Sequence, residues 1–255
     1  MTSSPSPRAM CPASSSSGAI LETRRLVKEF GGLRAVDGVD FTLRRGELRC
    51  LIGPNGAGKS TFFRLLAGML RPTAGSVEWK GVDLTRLHPH QIARAGIGIK
   101  SQVPRVYDQL TVAENVWLSA NFRHGRTAGA IVDRVLEETR LADRRDTRAA
   151  HLAHGDRQWV EIGMVLAADP ELILLDEPTA GMTRAEARRT AELVREINRR
   201  ASLIVVEHDM DFVRELGAGV TVLHRGAVLA EGSIDQIRDN RAVRDVYLGK
   251  RHARR

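Results

Sequence analysis

The chain has 255 residues, of which 42% are hydrophobic and 27% are charged, so we expect a packed core in one large domain or two small ones. Two cysteines cannot supply a disulfide framework, which fits a reducing cytoplasm. No apolar run approaches the roughly 18 residues that span a bilayer, and no apolar stretch of signal-peptide length opens the chain. These features argue against a disulfide-stapled secreted module and against a membrane-spanning chain.

The net charge of +8 allows two interpretations. A basic surface can attract nucleic acid, a membrane surface or a nucleotide. The arginines are scattered, however, and often lie beside Asp or Glu, as in residues 140–146. We therefore favour a solvated basic surface, with residues 251–255 as the one basic cluster and a solvated tail rather than a lipid contact.

The first half of the chain indicates a tail, a strand-rich start and then a phosphate-loop region. Residues 1–19 are rich in Ser, Pro and Ala and predict a disordered tail, with the folded domain over residues 20–250. Residues 20–49 alternate apolar and polar positions, which predicts antiparallel strands. An apolar strand over 48–52 leads into a Gly-rich loop, and a helix is predicted from Ser60 to Leu70.

The second half indicates a helical subdomain and then a buried parallel sheet. The subdomain is expected over about 103–160, because positions 131, 132, 135 and 136 mark one apolar helix face. Continuous apolar runs at 172–175 and 203–206 predict buried parallel strands. Thr183 and Glu186 have capping-box spacing at the start of a helix that runs to about Arg200. A hairpin turn at 225–226 and a helix from Ser233 follow.

The Gly-rich loop has the spacing of a nucleoside triphosphate site. Its glycines let backbone N–H groups surround phosphates, while Lys59 can reach the β- and γ-phosphates and the Ser60 hydroxyl can bind Mg²⁺. The alternative, a Gly-rich turn with a chance lysine, is disfavoured because a strand precedes the loop and a helix follows it. The predicted phosphate-binding residues are Gly53, Pro54, Asn55, Gly56, Ala57, Gly58, Lys59, Ser60 and Thr61.

Asp176 and Glu177 end an apolar strand downstream of this loop. Asp176 can bind Mg²⁺ directly or through water, and Glu177 can orient and deprotonate an attacking water. The alternative is that Glu177 only caps the turn that follows. The apolar strand and the upstream phosphate loop favour the catalytic interpretation.

From about residue 21 to residue 250 the chain resembles the ATP-binding subunits of ABC transporters. That family has an α/β P-loop core with a mostly parallel sheet, an antiparallel β subdomain and a helical subdomain. The resemblance implies that Gln102 acts in catalysis, as a γ-phosphate sensor, and also binds Mg²⁺, that His208 acts in catalysis, and that Phe30 stacks on adenine. Its signature motif, which closes the ATP site of a second subunit, corresponds to Leu152, Ala153, His154, Gly155 and Asp156.

Two departures from the family pattern change specific expectations. Ala153 stands where the family has a serine, so a hydroxyl contact to the partner's γ-phosphate is lost; the backbone N–H groups remain, and we expect a cost of about 1 kcal/mol. Thr183 stands where the family often has Asp, so it is expected to act only as a helix cap.

The resemblance also suggests a transported solute and a set of partners. Residues 154–164, 176–183, 207–213 and 246–249 resemble the ATPase of bacterial urea importers, with branched-chain amino acid importers as the alternative. We expect a second ATPase subunit, as a homodimer or preferably a heterodimer, transmembrane permease subunits and, indirectly, a solute-binding protein. The chain would then lie at the cytoplasmic face of the plasma membrane, with ATP and Mg²⁺ bound.

Two other functional classes share these motifs. A soluble ABC-type ATPase acting on nucleic acid fits the basic charge, but such proteins usually carry tandem ATPase domains or a long coiled coil between the ATP motifs. An exporter ATPase shares every catalytic residue. The segment 107–115 follows the glutamine position, where the family forms a groove for a short permease helix, although its apolar residues could equally be internal packing.

Overall fold

The computed structural model describes residues 18–101 and 106–252. Gln102 and almost all of the predicted N-terminal tail therefore lie outside the described residues. The first strand begins at Ala19, one residue before the predicted start of the domain, and the last helix extends to His252, two residues beyond its predicted end.

Two β-sheets form the framework of the fold. The antiparallel sheet has the order β2-β1-β4-β5, made of β1 (Ala19–Phe30), β2 (Leu33–Arg44), β4 (Ala74–Trp79) and β5 (Val82–Asp83). The second sheet has the order β10-β9-β3-β8-β7-β6, made of β3 (Leu48–Ile52), β6 (Ile97–Lys100), β7 (Leu172–Asp176), β8 (Ser202–Val206), β9 (Gly219–His224) and β10 (Ala227–Gly232).

Strands β9, β3, β8, β7 and β6 run parallel, and only β10 is antiparallel, through the hairpin predicted at 225–226. Alternate residues of the central strands enter two different cores. In β7, Ile173 and Leu175 join the core on one face, while Leu172 and Leu174 join the core on the other. A sheet covered on both faces explains why these strands are continuous apolar runs.

The helices cover this sheet and form the predicted helical subdomain. They are α1 (Lys59–Leu66), α2 (Pro89–Arg94), α3 (Val112–His124), α4 (Ala128–Glu138), α5 (His154–Leu166), α6 (Arg184–Asn198), α7 (Met210–Leu216), α8 (Ile234–Asp239) and α9 (Arg241–His252). The predicted capping box at Thr183 and Glu186 is confirmed, and α6 ends two residues before Arg200. In the described part of the chain, no helix combines the length and apolarity needed to cross a bilayer.

The apolar face predicted near residue 132 packs inside the helical subdomain. Val132, Val135 and Leu136 of α4 are buried, and α3 packs on both α4 and α5. Gly163 of α5 permits the close approach of α5 to α4, since a Cβ there would lie 3.2 Å from the Val135 side chain. Helix α1 ends at Leu66 rather than at the predicted Leu70, because residues 67–70 form a turn.

A buried ion pair joins the helical subdomain to the sheet. Lys100 Nζ, at the end of β6, lies 3.3 Å from Glu161 Oε2 on α5, and both side chains are more than nine-tenths buried. The attraction between two buried charges offsets their desolvation only while both partners are present. This contact therefore holds α5 in a fixed position beside the strand end.

We expect Glu161→Ala to lower the free energy of unfolding by about 3–5 kcal/mol, because Lys100 would remain as a buried, unpaired charge. The double variant Lys100→Met, Glu161→Leu should recover most of this loss. Urea denaturation measures both. Asp235→Ala, which removes an exposed ion pair with Arg238, is the control and should cost less than about 1 kcal/mol. Equal losses in the buried and exposed variants would contradict the interpretation.

Candidate active site

The predicted nucleotide motifs meet at one edge of the parallel sheet. Strands β3, β8 and β7 are neighbours, and all three end at this edge. The phosphate loop follows β3, Asp176 ends β7, and His208 follows β8. Backbone bonds continue the pairing past the strands: Glu177 N–H donates to Val206 O at 2.9 Å. The carboxyl ends of parallel strands are the usual position of a ligand site in an α/β fold.

The phosphate loop requires glycine at two positions where other chain segments approach. Gly53 has φ of +152°, and a Cβ there would lie 2.2 Å from the carbonyl oxygen of Leu223. Gly58 has φ of +102°, and its Cβ would lie 2.3 Å from the carbonyl oxygen of Ala35 in β2. Helix α1 begins directly after Gly58, so its N-terminal N–H groups point toward the loop.

Lys59 is buried, and its ammonium group is held by the loop itself. Nζ donates to the carbonyl oxygen of Gly53 at 2.7 Å and to that of Pro54 at 3.2 Å. Burial lowers the pKa of Lys59 from its ordinary value, and the Glu177 and Asp176 carboxylates partly offset that effect. A phosphate bound in the loop would supply the charge partner that two carbonyl groups only partly replace.

Asp176 is a buried carboxyl group at the end of β7. Burial, together with the neighbouring Glu177 charge, raises the pKa of Asp176 to about 6, while Lys100, Arg64 and Lys59 act in the opposite direction. A divalent cation would favour the ionised form of such a group. The surroundings of Asp176 therefore favour the binding of a cation.

Glu177 occupies a strained backbone position directly after Asp176. Its φ is +47°, in the left-handed region that non-glycine residues rarely adopt. The conformation is stabilised by its N–H bond to Val206. Glu177 Oε1 lies 3.5 Å from His208 Nδ1, so the two predicted catalytic side chains are neighbours. The alternative role of Glu177 as a simple turn cap does not explain this pairing.

The donor set fits Mg²⁺ shared with a nucleotide rather than a metal held by protein alone. Within residues 18–101 and 106–252, no cluster of three or more His, Cys, Asp or Glu side chains could hold a metal ion. Ser60 offers a hydroxyl oxygen on α1, and Asp176 offers a carboxylate. Mg²⁺ prefers such oxygen ligands and usually completes its coordination with phosphates and water.

The signature-like segment lies at the start of α5. Ala153 is the N-cap residue and makes no side-chain cap, which leaves the first N–H groups of α5 without a side-chain acceptor from that position. His154 Nε2 lies 2.8 Å from the carbonyl oxygen of Ala180, in the loop after Glu177.

Asp156 forms an ion pair with Arg144 at 3.7 Å. Leu152 is buried, and a Cβ on Gly155 would meet the Glu186 carboxylate at 2.2 Å.

Comparison with known proteins agrees with this geometry. The ABC transporter family model matches residues 36–180, and a model described as branched-chain amino acid ATP-binding cassette transporter matches residues 227–253. The chain belongs to the ABC transporter family of ATPases.

Relatives of this ABC ATPase include ATP-binding proteins named for branched-chain amino acid transport and for lipopolysaccharide export. It is 34% identical over 250 residues to the high-affinity branched-chain amino acid transport ATP-binding protein LivG of Salmonella typhimurium, covering 91% of this chain and 98% of that one. It is 34% identical over 238 residues to the lipopolysaccharide export ATP-binding protein LptB of Acidithiobacillus ferridurans, covering 90% and 97%. The solved ADP conformation of the cassette MJ1267 has a TM-score of 0.81 and 29% identity, covering 91% and 99%.

The predicted adenine platform of this ABC ATPase, Phe30, lies at the end of the strand that pairs with β2, and β2 contacts the phosphate loop. Phe30 ends β1 at a tight turn into β2, and β2 is the strand whose Ala35 lies against Gly58. Phe30 is 46% exposed, and Lys28 Nζ lies 5.0 Å from its ring centroid. The ring is thus accessible for stacking.

Sequence reasoning missed the contacts of two residues beside this site. Glu207 is almost fully buried, and its carboxylate contacts both Thr179 and the backbone N–H of His208. A charged residue at the end of an apolar strand was the available signal. Its partners were not predictable, because they come from two separate loops.

The raised pKa of Asp176 makes stability depend on pH. The folded-state pKa of about 6 exceeds the ordinary value of 3.8, so the folded protein binds the Asp176 proton more tightly than the unfolded chain does. The contribution of this proton to the free energy of unfolding is complete below about pH 4 and is lost as pH rises through 6. Asp176→Asn should therefore increase the free energy of unfolding by about 2–3 kcal/mol at pH 7.5 and by little at pH 4. Urea denaturation without Mg²⁺ or nucleotide measures this.

The exposed Asp239→Asn variant is the matched control and should show no such pH dependence. An Asp176→Asn protein that is less stable than wild type at pH 7.5 would contradict the raised pKa.

Proposed function

We propose that this ABC ATPase drives a membrane importer by hydrolysing ATP between Lys59 on one side and Glu177 with His208 on the other. The observation that carries the proposal is the 3.5 Å pairing of Glu177 and His208 at the sheet edge that also holds the phosphate loop. Catalysis of phosphoryl transfer needs mainly positioning and charge stabilisation, and these residues supply both.

The phosphates would bind in the loop from Gly53 to Thr61. Lys59 would exchange its carbonyl partners for phosphate oxygens, and the N-terminus of α1 would add its partial positive charge. Ser60 and Asp176 would hold Mg²⁺, which when bound neutralises charge on the β- and γ-phosphates. The exposed ring of Phe30 would stack on adenine.

Glu177 would accept the proton of the attacking water, and His208 would hold that water and the γ-phosphate in line. The strained turn keeps the Glu177 carboxylate beside His208 rather than out in solvent. Gln102, outside the described residues, would report γ-phosphate occupancy to the permease contact. Closure and reopening of the nucleotide site would then drive the permease between two states.

A second ATPase subunit would complete the site, as ABC ATPases work in pairs. Residues Leu152 to Asp156 would face the partner's γ-phosphate, with the backbone N–H groups of α5 acting in place of the missing hydroxyl at Ala153. A homodimer and a heterodimer both satisfy this geometry, and we favour the heterodimer.

The permease would dock beside the helical subdomain. Tyr107, Trp117 and Phe122 are exposed large hydrophobic side chains, and Tyr107 also lines a cleft of about 460 Å³ between α3, α5 and β6. Asn115 shapes this region, because its side chain bonds to both backbone groups of Tyr107. Docking here would place the chain at the cytoplasmic face of the membrane.

Branched-chain amino acids are the solute class that the comparisons favour. The match at residues 227–253 and the near full-length likeness to LivG both support that class. The initial preference for urea is not supported specifically, and we do not retain it. The likeness to LptB keeps export as the second candidate.

Glu177→Gln should lower ATP turnover by roughly 10²–10⁴-fold while ATP binding persists, because the amide keeps the shape but loses the base. Steady-state hydrolysis and equilibrium ATP binding measure the two effects. The exposed Glu192→Gln on α6 is the control and should match wild type. Turnover near wild type in Glu177→Gln would overturn the assignment of Glu177.

The solute class is tested by transport in vesicles that contain the complete complex, assembled from this chain, a second ATPase subunit and the permease subunits. We expect ATP-dependent import of leucine, isoleucine or valine and no import of urea. ATP-driven efflux would instead support an exporter. Tight, ATP-sensitive binding of the chain to DNA or RNA at physiological salt would contradict a transport role.

A further inference from the structure

A buried carboxylate lies between the two loops that carry the proposed catalytic residues. Glu207 directly follows β8 and is only 1% exposed. Its own backbone N–H donates to the carbonyl oxygen of Leu51 in β3, at the entrance to the phosphate loop. A charge this deeply buried is retained in proteins when several hydrogen bonds satisfy it.

The two oxygens of Glu207 bind different loops. Oε1 accepts from the Thr179 hydroxyl at 2.5 Å and from the Thr179 backbone N–H at 3.3 Å. Oε2 accepts from the backbone N–H of His208 at 3.0 Å and from that of Asp209 at 3.4 Å. Thr179 lies two residues after Glu177, so one carboxylate connects the loop of the base to the loop of the histidine. We name this group of contacts the carboxylate clamp.

We propose that Glu207 is a positioning residue for ATP hydrolysis, which sets the spacing between Glu177 and His208 through the carboxylate clamp. The inference rests on the proposed roles of those two residues. The Glu177 backbone is strained, and contacts with neighbouring segments are needed to keep such a turn in place. A carboxylate suits the task because it accepts bonds on both oxygens, and all of its clamp partners donate.

The variants of the carboxylate clamp can be ranked by the number of hydrogen bonds that each one removes. In Glu207→Gln one oxygen becomes an NH₂ group, which cannot accept a hydrogen bond, so one loop loses its acceptor. Glu207→Ala removes both acceptors. Thr179→Val removes only the hydroxyl bond, whereas Thr179→Ser retains it. Small displacements of catalytic groups cost up to about 10²-fold in rate.

The test measures kcat, KM for ATP and equilibrium ATP binding on the full-length chain. We expect kcat to fall about 10- to 10²-fold in Glu207→Gln and Thr179→Val, with ATP binding within about threefold of wild type, and Thr179→Ser to restore kcat. Thr139→Val is the control and should leave kcat unchanged, because it removes another buried hydroxyl, which bonds to Val135 O within the helical subdomain.

A merely stabilising role would lower the thermal unfolding midpoint and leave the kcat of the folded fraction unchanged, which would overturn the proposal. If Glu207→Gln does not fold, Thr179→Val and Thr179→Ser decide the question alone. In a Glu177→Gln background, Glu207→Gln should lower kcat by less than about threefold more, because the base is already absent. Full additivity there would contradict the clamp.

The same experiment separates this inference from the proposed function. Near wild-type kcat in Glu177→Gln would overturn the catalytic site itself and, with it, the clamp. A large loss in Glu177→Gln with none in Glu207→Gln or Thr179→Val would overturn the clamp only.

Discussion

The parallel register of β3, β8 and β7 is the constraint on which the site depends. Because these neighbouring strands end at one edge, residues far apart in the chain are brought together there. The phosphate loop, His208 and Asp176 each need only to follow their strand. Both cores fix that register, since a slip by one residue would exchange the two buried faces of each strand.

Charge at this edge is arranged for a ligand rather than for stability. Burial lowers the pKa of Lys59 and raises the pKa of Asp176, and Glu177 lies in a strained turn. Each feature costs free energy in the isolated chain, and bound phosphate and Mg²⁺ would reduce the cost at Lys59 and at Asp176. Sites that bind substrate commonly store strain and unbalanced charge in this way, while the surrounding sheet supplies the stability.

The sequence predicted the elements that depend on local pattern. Apolar runs predicted β7 and β8, and the capping box predicted the start of α6, because both signals lie within a few residues. Contacts between separate loops could not be predicted from the sequence. The bonds of Glu207 to Thr179 and of His154 to Ala180 join segments about 26 to 28 residues apart, and no periodicity encodes them. The solute preference for urea is not supported specifically, because solute choice depends on partner subunits that this chain does not contain.

In the proposed mechanism, the phosphate loop and the turns after β7 and β8 form one nucleotide site. A crystal structure of the Glu177→Gln protein with Mg²⁺ and ATP tests it most directly. We expect Lys59 Nζ to leave the Gly53 carbonyl for phosphate oxygens, with the γ-phosphate between Lys59 and His208 and the metal at Ser60 and Asp176. ATP bound elsewhere, with Lys59 still on Gly53, would contradict it.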